Sequence, residues 1–466
     1  MPRSGTVLDG FEVGERLHEG GMAMLYRAAR PGDDTPMLMK VPRLREGEDP
    51  AAIVSFEMEQ LIMPRLSGPH VPRFIAMGGF EADPYIVMER IEGPALSARL
   101  RELPLPPEEV AAIGAAIADA LDDLHGQHVV HLDVKPANIL FRPDGTAVMV
   151  DFGLARHDRL PDLMAEEFRL PYGSTPYMAP EQAMGIRHEP RSDLFALGAV
   201  LYQLATADTP FGEPQHLKAV KRRLWRDPVP PRRRRPAIPP WLQEIILRCL
   251  EVNPDRRPPT AAQLAFDLRH PDQVALTDRA RRLRRDGFLT VLRRRLRPEP
   301  PGLRRGGAAR QIAVSPILAI AIDTSGTDDT LADALRNQAQ KMLASRPGAR
   351  LACLNVLKSN LIAMDSTLDD AGRNRHVQRL LELRHWAAPL GLAEGRVTFH
   401  VLEAADVAGA ILDYARANRV DHVVLGAREA SFSRRVLGSV SAQVAGEAPC
   451  SVTVVRRRRA DAAPPA

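Results

Sequence analysis

Five polar side chains stand in apolar surroundings that ordinarily exclude them: Lys40, Asp133, Lys135, Asn138 and Asp151. Lys40 lies inside Met37-Leu38-Met39-Lys40-Val41. An ammonium there is costly unless a carboxylate pairs with it. Glu59, in Phe56-Glu57-Met58-Glu59-Gln60-Leu61-Ile62, is the natural partner, and Glu57 competes for the place. A lysine on the solvent face of an edge strand is the alternative. Asp133, Lys135 and Asn138 share the segment His131 to Leu140, which continues as Ile139-Leu140-Phe141. A random surface loop would not run straight into such an apolar triplet. Asp151 closes Val148-Met149-Val150 before Phe152-Gly153, where a carboxylate at a strand end can reach a metal ion. Upstream, Gly20-Gly21 and Ala23 let a strand–turn–strand backbone come close to phosphates, although a plain hairpin would use the same glycines. Cations, metal-reaching carboxylates and an open loop suit phosphoryl transfer. That reaction needs positioning and charge more than covalent help.

The elements that must hold these residues follow from periodicity. Phe11, Val13, Met24, Tyr26, Met37 and Met39 fall in short alternating runs broken by Gly20-Gly21 and Pro31-Gly32, which predicts strands. From Val110, apolar residues recur at Ile113, Ile117, Leu121 and Leu124, one face of a helix. Pro106-Pro107-Glu108-Glu109 suits its first turn and Gly126 its end. Asp193 to Ala207 is apolar on nearly every side and predicts a helix buried throughout.

In this order and spacing the motifs resemble the signature set of protein kinases, in the form found in bacterial Ser/Thr kinases. The resemblance covers about residues 8–268. It extends to Ala179-Pro180-Glu181, to Asp193 with Gly198, and to Arg257-Pro258. Small-molecule kinases of related fold lack that last trio, so protein substrates are implied. The resemblance implies that Gly20, Gly21 and Ala23 cover the nucleotide and that Lys40, paired with Glu59, holds its α- and β-phosphates. Asp133 would accept the substrate hydroxyl proton, and Lys135 would neutralise the transferring group. Asn138 and Asp151 would ligate Mg²⁺. Met88 resembles the gatekeeper, with the backbone of Glu89 and Ile91 reading adenine. ATP and Mg²⁺ are the implied cofactors, and Lys135-Pro136 resembles the Ser/Thr type.

Three departures stand out. His18 occupies the place of the first loop glycine, and Leu132 replaces the arginine that usually precedes the catalytic aspartate. That arginine normally contacts an activation-loop phosphate. Leu154 to Tyr172 contains no Ser or Thr to carry one. The two absences fit each other and predict a domain active without loop phosphorylation. Glu166 and Glu167 are expected to order the loop by pairing with Arg169 or nearby arginines.

From Ser315 onward, apolar runs alternate with helical patterns: Pro316 to Ile322, Leu351 to Leu357, Val397 to Leu402, His422 to Leu425 and Ser451 to Val455. Near-continuous apolar strands argue a parallel α/β sheet. Val423-Val-Leu-Gly426, Leu437-Gly438-Ser439 and Ala448-Pro449-Cys450 make residues 312–456 resemble the universal stress protein family. The expected fold class is an α+β bilobal kinase fold followed by a Rossmann-like α/β parallel-sheet domain. The divisions are 8–268 (N-lobe about 8–91, C-lobe about 92–268), a basic and partly helical linker 269–311, the second domain 312–457 and a disordered tail 458–466. In nucleotide-binding members of that family a glycine loop cradles ATP, and Asp323 would contact adenine or ribose. Here Glu429 replaces the second glycine, and Ala430 to Leu437 is one residue short. A carboxylate beside a triphosphate is repulsive, which favours a sensor or a homodimer surface.

The linker carries the basicity of the chain. Pro271 to Arg310 holds twelve Arg and four acids, a net +8, against +5 for all 466 residues. One reading is a solvated helix with Arg279, Arg282, Leu283, Leu289 and Leu292 partly packed on a lobe, the linker being helical in part from Ala275 to Arg297. The other is a site for an acidic partner, including the Glu57–Glu59 helix or the Glu166-Glu167 loop. Arg232 to Arg235 reads as a solvated loop before a helix at Trp241.

With 63 basic against 58 acidic residues, nucleic-acid binding is not expected. Three scattered cysteines exclude a disulfide framework. The apolar run Ile317 to Ile322 is far short of the roughly 20 residues a membrane helix needs. These features imply a cytoplasmic protein without a transmembrane segment. The expected function is ATP-dependent phosphorylation of protein hydroxyls, with the second domain as sensor or regulator. The rival is a pseudokinase scaffold that binds nucleotide and partners without transfer.

Overall fold

The structure, a computed structural model, describes residues 4–44, 49–168, 170–214, 216–296, 316–324, 329–358, 368–369, 372–393, 395–427 and 438–456. The tail at 458–466, Arg169, Glu429 and the spacer 430–437 lie outside the described residues.

The N-lobe is a six-stranded antiparallel sheet in the order β1-β2-β3-β4-β6-β5. Its strands are β1 (Val7–Leu8), β2 (Phe11–Glu19), β3 (Ala23–Arg30), β4 (Asp33–Pro42), β5 (Phe74–Gly78) and β6 (Tyr85–Glu89). Phe11, Val13, Met24, Tyr26, Met37 and Met39 fill one buried cluster, as their alternation predicts. Helix α1 (Pro50–Ile62) lies beside the sheet. Asp49 caps it by accepting from the Ala51 N–H at 2.9 Å, and Pro50 fits the first turn.

The C-lobe is built on α2 (Pro107–Gly126) and α4 (Arg191–Thr206). Val110, Ile117, Leu121 and Leu124 of α2 are buried. Every residue of α4 from Ser192 to Tyr202 is buried, so the all-round apolar pattern marks a central helix. Short strands β7 (Val129–Val130), β8 (Ile139–Phe141), β9 (Ala147–Met149) and β10 (Arg156–His157) form two ribbons beside them. Helix α3 (Leu163–Glu167) follows in the segment after Asp151. The lobe closes with α5 (Leu217–Val220), α6 (Pro231–Arg234), α7 (Pro240–Cys249) and α8 (Ala261–Arg269).

The described part of the linker is helical in part, as expected. It holds two pieces, α9 (Asp278–Arg281) and α10 (Phe288–Leu296), separated at 282–287. Its leucines are not the packing residues: Leu283, Leu289, Leu292 and Leu296 are exposed. Arg279 and Arg282 attach it, as expected. Arg279 bridges Glu244 and Glu251 at 2.9 Å each, and Arg282 pairs with Asp227 at 2.7 Å and also with Asp286. Arg232 to Arg235 is also no solvated loop. Most of it is helical, Arg232 donates to the Ala280 carbonyl at 3.2 Å, and Arg235 donates to that of Leu105 at 2.7 Å.

The second domain is a five-stranded, all-parallel sheet in the order β13-β12-β11-β14-β15. Its strands are β11 (Ile317–Ala321), β12 (Arg350–Lys358), β13 (Val397–Ala404), β14 (His422–Ala427) and β15 (Ser451–Arg456). All five coincide with the apolar runs to within two residues. Helices α11 (Asp329–Ser345), α12 (Arg375–Ala387), α13 (Val407–Ala417) and α14 (Ser439–Glu447) connect and cover it. This is the doubly wound arrangement expected of a parallel sheet. No described helix is long and apolar enough to cross a membrane.

Candidate active site

Strand β4 and helix α1 bring Lys40 to Glu59. The Lys40 Nζ donates to Glu59 Oε2 at 2.5 Å and to Asp151 Oδ1 at 2.8 Å. This settles the choice between partners: Glu59 faces the lysine, and Glu57 points elsewhere. The Lys40 side chain is 13% exposed and that of Glu59 2%, so the pair is sheltered from solvent screening. Burial opposes the ammonium, yet the charges of Asp151 and Glu59 raise the Lys40 pKa. Asp151 is held down to about 2, chiefly by the charge of Lys40. Glu59 is pushed up, because burial outweighs the same cation. Asp151 sits at φ 67°, a left-handed conformation uncommon for a non-glycine residue, next to Phe152, which is fully buried.

Asp133 is the hub of a second cluster. Its Oδ2 accepts from the Lys135 Nζ at 2.6 Å and from the Asn138 Nδ2 at 3.0 Å. Its Oδ1 accepts from the backbone N–H of Ser174 at 3.0 Å. The Asn138 Nδ2 also reaches the Asp133 carbonyl at 3.0 Å, which closes the turn between β7 and β8. Ser174 thus lies beside the carboxylate through its backbone. Gly173, at φ 135°, holds a backbone conformation that a residue with a side chain would adopt only with strain.

The loop carrying Asp133 is suspended from α4. Asp193 accepts the backbone N–H groups of His131 and Leu132 at 2.9 and 2.8 Å, and His125 Nε2 lies 2.9 Å away. These bonds hold Leu132 at φ 63°, and the buried Gln182 donates to its carbonyl at 2.8 Å. Below them Glu181 and Arg257 form a bidentate pair at 2.6 and 2.8 Å with no exposed side-chain surface. Ser192 donates to the same carboxylate at 2.6 Å.

Gly20, Gly21 and Ala23 occupy the turn between β2 and β3. The Gly20 N–H donates to the Ala23 carbonyl at 2.9 Å, so the segment is a hairpin as well as a candidate phosphate cover. A side chain at Gly21 would meet nothing within 4 Å, which leaves that backbone open. Met88 is buried in β6, paired with Leu38. The side chain of Glu89 turns away to Arg142, with bonds at 2.5 and 3.0 Å. Among the described residues the Ile91 N–H has no hydrogen-bond partner.

Two features escaped the sequence. Arg223 is buried against the segment Thr175 to Met178, as described below. Among the described residues Glu166 and Glu167 pair with no arginine of their own lobe: their partners are Arg350 and His400 of the second domain, and the expected pairing with Arg169 lies outside the described residues. In that domain a cavity of about 1170 Å³ is lined by Asp323, Thr324, Arg379, Gly426, Gly438 and Ser439.

Comparison with known proteins finds two families along the chain. The family model for the protein kinase domain matches residues 11–268, and that for the universal stress protein family matches 317–456. The serine/threonine-protein kinase PknB of Mycolicibacterium smegmatis is 32% identical over 265 residues, 56% of this chain and 42% of that one. The serine/threonine-protein kinase pkn3 of Myxococcus xanthus is 34% identical over 280 residues, 58% of this chain and 51% of that one. The chain spans about half the length of the curated relatives it matches. Among solved structures, the PknI kinase domain of Mycobacterium tuberculosis is 25% identical with a TM-score of 0.47, covering 58% of this chain and 100% of that one. The kinase model alone spans more than half of the residues, so this chain belongs to the protein kinase family and carries a universal stress protein domain after its kinase domain.

Proposed function

We propose that the chain is an active Ser/Thr protein kinase, transferring a phosphoryl group from MgATP to protein hydroxyls, with its divisions at 8–268, 269–311 and 312–457. The observation that carries this is the Lys40 Nζ set between Glu59 and Asp151 while Asp133, Lys135 and Asn138 form a second connected cluster. A scaffold that binds nucleotide without transfer would keep the first cluster but would not need Asp133 and Lys135 in the second.

The residues present suit the nucleotide and its metal. Asp151 and Asn138 offer hard oxygen donors of the kind Mg²⁺ prefers, and the Asp151 side chain is 45% exposed. The Ile91 N–H, without a partner among the described residues, can donate to adenine, and the open Gly20-Gly21 turn can approach phosphates. When bound, the metal supplies positive charge against the phosphate oxygens. The chain's own residues supply the rest. Lys40, kept charged by its two carboxylates, orients the α- and β-phosphates. Asp133 takes the hydroxyl proton of the substrate. Lys135, 2.6 Å from Asp133, places a cation where charge develops on the transferring group. Gln182 and Asp193 fix the loop so that Asp133 needs no rearrangement.

Purified chain with labelled ATP and Mg²⁺ should label itself or an added protein on Ser or Thr. Asp133→Ala should lower the rate by about 10²–10⁴-fold while sparing nucleotide binding, and Asp151→Ala should abolish transfer. Equal labelling by wild type and both variants would refute the assignment.

A further inference from the structure

Three carboxylates with little side-chain exposure, 6% for Glu57, 10% for Glu166 and 4% for Glu167, mark where the two domains meet. Glu57 projects from α1, and Glu166 and Glu167 project from α3. Glu57 and Glu167 are near enough that the second carboxylate disfavours the charge of the first. Left alone, such a cluster repels itself and pays for its burial without compensation.

The second domain supplies three matching groups. The Arg384 Nη2, on α12, donates to Glu57 Oε1 at 2.5 Å. Arg350, on β12, takes both oxygens of Glu166, at 2.8 and 3.0 Å. The fully buried His400, on β13, reaches Glu166 with Nε2 at 3.1 Å and Glu167 with Nδ1 at 3.0 Å. Tyr414 Oη, on α13, donates to Glu166 Oε2, and the Asn418 side chain donates to the Glu166 backbone carbonyl, each at 3.2 Å. Apolar contact surrounds these bonds. The Arg384 guanidinium lies over Phe80 of the N-lobe at 5.7 Å and over Phe399 of β13 at 5.8 Å. One buried apolar cluster runs from Phe56, Leu163 and Met164 to Leu351, Leu380 and Leu383.

We propose that the stress-protein domain is the kinase domain's built-in activator: its β12, β13 and α13 face grips Glu166 and Glu167 of α3 while Arg384 grips Glu57 of α1, doing for this activation segment what a bound phosphate does elsewhere. The proposal rests on the kinase reading above. Leu132 stands where a phosphate-binding arginine is expected, and no hydroxyl lies between Leu154 and Tyr172. The anions are instead encoded as Glu166 and Glu167, and their receptor is placed on another domain. Helix α3 lies between α1 on one side and β13 with α13 on the other. In this docked state α1 presents Glu59 to Lys40. The grip therefore favours the aligned catalytic arrangement.

The test uses the full-length chain with Arg384→Glu, Arg350→Glu, Glu57→Arg and the double change Glu57→Arg/Arg384→Glu. Phosphoryl transfer to a generic protein substrate and amide exchange across 163–167 are measured on each. Arg384→Glu and Arg350→Glu should each lower the rate at least tenfold and speed exchange in α3. The double change should recover a large part of both losses, which a merely misfolded variant could not. An unchanged or increased rate in the single variants overturns the proposal. If the wild-type chain transfers no phosphate, the kinase reading fails separately. Exchange then still decides the docking: protection lost in Arg384→Glu and regained in the double change upholds it, and unaltered protection overturns it.

Discussion

Arg223 shows how a single residue can matter without any motif to announce it. In Lys221-Arg222-Arg223 it reads as part of a basic surface run. In the structure it is 1% exposed, and among the described residues no carboxylate pairs with it. Its guanidinium donates to the backbone carbonyls of Thr175, Pro176 and Met178 and lies 4.9 Å over the Phe211 ring. Burial lowers its pKa to about 10, so it remains charged at neutral pH. The segment it holds begins next to Ser174, whose N–H rests on Asp133. A long cation that satisfies three carbonyls fixes this segment beside Asp133, and in the proposed kinase reading a protein substrate lies against it. Arg223→Met should leave those carbonyls unpaired, at about 1–3 kcal/mol each where burial is complete. We expect the KM for a protein substrate to rise about tenfold with the KM for ATP unchanged. Equal KM values for both substrates in variant and wild type would deny Arg223 this role. By contrast, Lys40, Glu59, Asp133, Asn138 and Asp151 were legible because a polar residue in an apolar run is informative. An arginine among arginines is not.

At the scale of elements, strands and long helices were read closely and the linker was not. Near-continuous apolar runs have few alternatives to buried parallel strands, so all five strands of the second sheet were visible. The linker offers no such pattern. Partial helicity and packing through Arg279 and Arg282 were expected and are found, whereas the leucines expected beside them are exposed and the helix is in two pieces. The decisive partner is Glu244 of α7, which is 3% exposed in its side chain. It accepts from the Thr277 N–H and hydroxyl, the Ala280 N–H and the Arg279 Nε, at 2.9–3.0 Å. The linker therefore completes the C-lobe, and its described arginines do not dock on the Glu57–Glu59 helix or the Glu166-Glu167 loop. Thr277→Ala combined with Arg279→Met leaves Glu244 buried beside backbone donors only. That should cost about 3 kcal/mol in urea denaturation, the scale for stripping a partner from a buried charge. Arg293→Ala, on the exposed side of α10, should cost less than about 0.5 kcal/mol. A double variant as stable as wild type would mean that α9 is only laid against the lobe.

At the scale of the whole molecule, the contact between the domains includes one histidine among its carboxylates. His400 touches carboxylates from two residues of α3, with Thr398 of its own strand at 2.9 Å and the Tyr414 ring centroid 5.1 Å away on α13. Arg350 of β12 shares Glu166 with it. Burial works against the imidazolium, but hydrogen bonds to Glu166 and Glu167 and their charges raise it from 6.5 to about 9. Glu166 moves the other way, to about 2: burial opposes its charge, and Arg350 and His400 overcome that. A raised histidine stabilises the docked state fully below pH 6.5 and loses its contribution as pH climbs through about 9. A depressed carboxylate contributes fully above pH 4.5 and loses its contribution as pH falls towards about 2. Docking should therefore be firmest between pH 4.5 and 6.5, hold at neutrality and weaken on the alkaline side. Small-angle scattering of the full-length chain should show a constant radius of gyration from about pH 6 to 7.5 and an increase by about pH 10. His400→Gln, which cannot carry the charge, should be extended already at neutral pH and respond little to alkali. Identical scattering at neutral and alkaline pH in both proteins would mean that apolar contact alone, from Phe80, Phe399 and the cluster around them, holds the domains together.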